Sequence, residues 1–190
     1  MDAGEYSFYT KLFLKKNLTY LDAVNEIKLF WSAKRDKEYV KRVGSKQIEI
    51  ETIEEIIRTF HRFNHIDWAW KQIEQLEKFP NAKIKVNLLK AWLYDTEKKY
   101  YEALQHYKQA YMAQPYIDLL EKLADCSIKD GQYEVAEKYI SQYEKEKSEK
   151  LKKDSRQGLF DLSHKQYIDG VTSNLRYKLE QAKKGRDIEL

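Results

Sequence analysis

The chain has 190 residues, with six glycines, two prolines, one cysteine, 35% charged residues and a formal net charge of +4. Few turn-formers and many charges suit packed helices with solvated outer faces and argue against a sheet protein. The single cysteine excludes an internal disulfide framework and fits a reducing compartment, so the cytoplasm is the expected location.

Residues 1–20 mix Asp2, Glu5, Lys11, Lys15 and Lys16 with their apolar residues, which does not read as a signal peptide. No stretch reaches the ~18 apolar residues needed to cross a bilayer. An apolar run from Tyr6 to Leu14, then Tyr20-Leu21-Asp22-Ala23, Ile27 and Phe30, predicts a degenerate helical unit or cap over residues 5–48. Inside it, the segment from Lys34 to Ser45 reads as an insertion. Its basic residues Lys34, Arg35, Lys37, Lys41 and Arg42, with Lys46 just beyond, face only Asp36 and Glu38.

Residues 49–148 repeat. Ala69, Ala103 and Ala136 are separated by 34 and 33 residues. An aromatic or apolar residue precedes each by three (Ile66, Tyr100, Tyr133), and Ile73, Tyr107 or Ile140 follows by four. Twelve residues upstream stand Ile57, Ala91 and Ala124, where small residues let two helices approach closely. Such a period marks a helix-turn-helix array whose units bury their apolar faces only against their neighbours. Turns are expected at 64–67, 97–99 and 129–132, with Ala91 and Ala124 facing another helix. The third unit ends in Ser148 and not proline, so its second helix has no stop signal. Residues 149–182 follow as a helical extension and C-terminal cap, docked through Leu162, Ile168 and Leu175 between 159 and 182. Residues 183–190, poor in apolar side chains, are expected to be a mobile tail.

The second unit reads Ala91-Trp92-Leu93-Tyr94, Tyr100-Tyr101-Glu102-Ala103-Leu104, Tyr107, Ala110 and Pro115; the third reads Ala124, Gly131-Gln132-Tyr133-Glu134-Val135-Ala136 and Ile140. Over residues 50–148 this resembles the tetratricopeptide repeat, a pair of antiparallel helices with small residues at the crossings. Departures are Ile57 and an early Pro80 in the first unit, and Asn87 where the family usually has a large apolar residue. The resemblance implies an all-α solenoid with three helix pairs and a concave groove lined by the first helix of each. Transferred groove positions are Glu54, Arg58, Arg62, Lys85, Leu88, Trp92, Asp95, Asp118, Glu121 and Asp125, with acids in the majority.

Candidate chemistry is sparse. His61 and His65 are four apart, but the turn at Asn64 takes His65 off the first helix, and two ligands do not close a metal site. Cys126 has no histidine near it in sequence and reads as a small core residue. No phosphate loop, GxSxG or HExxH occurs, so neither enzymatic activity nor a metal or cofactor is expected. The expected function is an intracellular protein-interaction adaptor or assembly factor that takes a basic or amphipathic partner segment in the groove. Two alternatives stand beside it: a nucleic-acid-associated repeat using the basic 34–46 segment, and a structural subunit whose groove is filled by its own C-terminal helix.

Overall fold

A computed structural model describes residues 3–156 and 162–188. Every regular element among them is helical, and the chain forms two compact units, Met1–Val86 and Asn87–Leu190. The first contains α1 (Ala3–Phe13), α2 (Tyr20–Lys34), α3 (Lys37–Val43), α4 (Ser45–Arg62), α5 (Ile66–Leu76) and a 3-10 turn at Pro80–Ala82. Helix α6 (Lys83–Thr96) runs across the division. The second unit continues with α7 (Tyr100–Ala113), α8 (Ile117–Lys129), α9 (Tyr133–Arg156) and α10 (Leu162–Ile188).

The repeat seen in the sequence recurs as one turn built three times. Asn64 (φ 61°), Lys98 (φ 61°) and Gly131 (φ 74°) each adopt the left-handed conformation just past a helix end. The following N–H then reaches back five residues: His65 to the Phe60 carbonyl at 2.8 Å, Lys99 to Tyr94 at 2.9 Å, Gln132 to Ser127 at 2.8 Å. This arrangement satisfies carbonyls that a helix end leaves without partners and reverses the chain sharply. The next helix opens with Ala69, Ala103 or Ala136 donating to that turn residue's carbonyl, and all three alanines are fully buried. Ala91 and Ala124 are fully buried too, as their spacing required.

In the first unit α4 packs against α2, α3 and α5, and α1 against α2. Aromatic rings fill the space between α1 and the α4–α5 hairpin. Phe13 stacks on Phe63 (centroids 4.6 Å) and on His65 (4.9 Å), and His65 stacks on Trp68 (4.4 Å). The insertion folds as α3, capped by Asp36 accepting from the Tyr39 N–H and closed by Gly44 at φ 84°. In the second unit α8 packs against α7, α9 and α10. Helix α9 does run past Ser148, to Arg156. Leu175 and Leu179 of α10 are buried against Ala124, Ile128, Ala136 and Ile140. Helix α10 continues to Ile188, beyond the boundary expected at residue 182. The expected contacts of Leu162 and Ile168, and the last two residues of the expected tail, lie outside the described part of the chain.

Candidate functional site

The transferred groove positions fall in both units. In the first, Glu54 on α4 accepts from Arg58 at 2.9 Å and forms an ion pair with Lys85. Burial pushes the Glu54 carboxyl up, but the hydrogen bonds from Lys85 and Arg58 outweigh it and hold the group below the usual glutamate range. Its neighbour Glu55 is raised, first by burial and then by the charge of Glu54. Arg62 is exposed at the last position of α4.

In the second unit Leu88, Trp92 and Asp95 share one face of α6, and Leu88 and Trp92 are half-buried. Asn87 is buried and its carbonyl lies 3.0 Å from His106 Nδ1 on α7. The His106 ring lies parallel to that of Tyr94 at 5.6 Å. Asn87 is therefore a polar clamp between α6 and α7. On α8, Asp118, Glu121 and Asp125 line up at helical spacing. Asp125 pairs with Lys129 at 2.8 Å and with Lys178 of α10 at 2.6 Å, while Lys129 also pairs with Asp95 at 2.8 Å. A charge chain Asp95–Lys129–Asp125–Lys178 thus joins α6, α8 and α10. Burial raises the Asp125 carboxyl, and the two lysines more than reverse this. Asp118 pairs with Lys147 at 2.6 Å. Glu121 makes no hydrogen bond or ion pair among the described residues.

The acidic majority of these positions is therefore balanced largely from within. Lys147 and Lys178, which do the balancing, lie 29 and 53 residues from their partners, and helical periodicity carries no signal over such a separation. The basic insertion is likewise engaged. Lys34 pairs with Glu5 at 2.9 Å, Lys41 with Glu38 at 3.0 Å, Arg35 donates to Thr52 Oγ1 at 2.5 Å, and Arg42 lies over the Tyr39 ring.

His65 caps the start of α5, off the helix that carries His61, and its ring is sandwiched by Phe13 and Trp68. Among the described residues no cluster of three histidine, cysteine or acidic side chains could hold a metal ion. Cys126 is 1% exposed; burial, then the nearby Asp95 charge, pushes its thiol up to about 12. It is a packing residue. No described helix is long and apolar enough to cross a membrane. The chain matches no family model, no curated protein and no solved structure.

Proposed function

We propose that this chain is a helix-pair repeat of the tetratricopeptide type that binds a segment of a partner protein. The observation that carries the reading is the threefold recurrence of one turn, at Asn64, Lys98 and Gly131, with a fully buried alanine five residues on each time. Repeats of this kind display side chains from the first helix of each pair, which puts Leu88 and Trp92 of α6 and Glu121 of α8 on the binding face. Trp92 is the anchor: a half-buried indole offers a large apolar surface. The internal pairing of Asp95, Asp118 and Asp125 shifts the weight from charge to this apolar contact. A partner's cation must compete with Lys129, Lys147 or Lys178 for those acids, whereas Glu121 is open to it.

The test is to identify proteins retained by the immobilised chain, purify one, and titrate it against the wild type and Trp92→Ala. Loss of about 2 kcal/mol, roughly a thirtyfold weakening, with helicity unchanged by circular dichroism supports the anchor. Retained binding by a folded Trp92→Ala variant rules it out.

One observation favours a second reading, a structural subunit with a self-filled groove. Helix α10 already sits on α8, with Lys178 on a transferred groove residue and Leu175 and Leu179 buried. On that reading the intact chain retains no partner through α8, and removing α10 creates binding.

A further inference from the structure

A second surface, in the first unit, is built differently from the face just described. Helices α2 and α5 flank a trough floored by α4, with a volume of about 410 Å³. Val24 and Ile53, both buried, line it together with Phe79 and with Leu21, which is 67% exposed. A second hollow of about 280 Å³, between the end of α2, α3 and α4, adds Arg35, Val40 and Ile48. The two hollows are neighbours, with Lys28 and Glu49 lining both. Neither of these two charges makes a hydrogen bond or ion pair among the described residues.

The polar groups on the α5 wall are incompletely used. Gln72 is only 4% exposed, and its amide N–H donates to the Tyr20 hydroxyl at 2.6 Å, which leaves its carbonyl without a protein donor. One turn on, Gln75 spends its carbonyl on Lys78 at 2.7 Å, which leaves its N–H₂ without an acceptor. One wall thus offers an acceptor and a donor a turn apart. That pair matches the N–H and C=O of an extended chain, groups that must be satisfied wherever they are buried. The Gln72 carbonyl can exchange its water for a docked backbone N–H.

Charge selects the segment. Lys28, Arg35 and Lys78 line the two hollows, with Glu49 the one acid among the lining residues. A segment with a carboxylate at the Lys28 junction is attracted, and one rich in lysine is repelled. We propose that this trough docks an extended segment of a partner protein, its backbone held by Gln72 and Gln75, apolar side chains seated over Val24 and Ile53, and a carboxylate placed at Lys28. The proposal does not rest on Trp92, which belongs to the other unit.

The experiment is to pan phage-displayed random peptides on the full chain, resynthesise those recovered with a fluorescein label, and measure their affinity by anisotropy. The expected peptides carry aspartate or glutamate beside leucine-like residues. Lys28→Glu, at an exposed position, should weaken them about tenfold or more, and Glu49→Lys should strengthen them, both effects shrinking at high salt. Leu21→Ala, also at an exposed site, should weaken binding without changing helicity. Gln72→Ala should do the same, provided that circular dichroism shows it folded. Trp92→Ala should leave the affinity unchanged, which separates failure of this site from failure of the other. The proposal is overturned if no peptide is recovered, if recovered peptides are basic or carry no acid, or if Lys28→Glu binds them as tightly as the wild type.

Discussion

A left-handed backbone costs a residue with a β-carbon roughly 1 kcal/mol, and glycine almost nothing. Lys98 bears that cost at φ 61°, and Asn64 bears less because its short polar side chain suits the conformation. Lys98→Gly should therefore raise the melting temperature, corresponding to several tenths of a kcal/mol after glycine's added unfolded-state freedom is subtracted. Gly131→Ala should lower it by about 1 kcal/mol; a β-carbon there meets nothing within 4 Å, so only the dihedral is tested. At the crossing of α8, Ala124→Leu should overpack a fully buried site by roughly 1–3 kcal/mol, seen as a lower denaturation midpoint. The alanines were legible because their spacing is helical and their size is dictated by close approach. The role of Asn87 was not: only the fold brings His106 beside it.

Among elements, α10 shows what one helix contributes. Removing everything after Gln157 should strip the cover from Ala124, Ile128, Ala136 and Ile140. Burial of Leu175 and Leu179, worth about 1.5–3 kcal/mol each, goes with it. The truncated chain should melt lower and aggregate, and an unchanged melting curve would show the docking to be idle. The same helix sets a pH dependence through Asp125. Its folded pKa lies below the unfolded value of about 3.9, so the pairing with Lys129 and Lys178 stabilises fully above that pH. The contribution is lost as pH falls through the lowered folded value. Asp125→Asn should accordingly destabilise the chain at pH 7, and the difference from the wild type should shrink as pH falls below the unfolded value, in denaturant titrations across that range. Apolar spacing pointed to a capping helix, but its ion pairs could not be read. Lysines on a charged helix look alike until a partner helix singles out Lys178 or the bidentate Arg176–Glu144 pair.

For the molecule as a whole, each unit packs mainly helices that follow one another in the chain: α4 with α5 in the first, and α7 with α8 and α8 with α9 in the second. Little loop entropy must be surrendered before such contacts form, so refolding should be complete within milliseconds in stopped-flow fluorescence. Refolding over seconds would contradict a fold built from local pairings. The all-helical class and the three turns were written in period and composition, which act over short separations. The trough beside α2 was not, because Lys28, Glu49 and Gln72 belong to three helices and converge only after folding.

The buried thiol of Cys126 has a practical consequence. With its pKa pushed to about 12 and 1% of its surface exposed, the thiol stays protonated and covered at neutral pH. It is also the chain's only cysteine. The folded wild-type protein should therefore react slowly with maleimides and serve as a labelling background. A Leu21→Cys variant, at a position 67% exposed, would take a single fluorophore at the edge of the α2–α5 trough and report occupancy there.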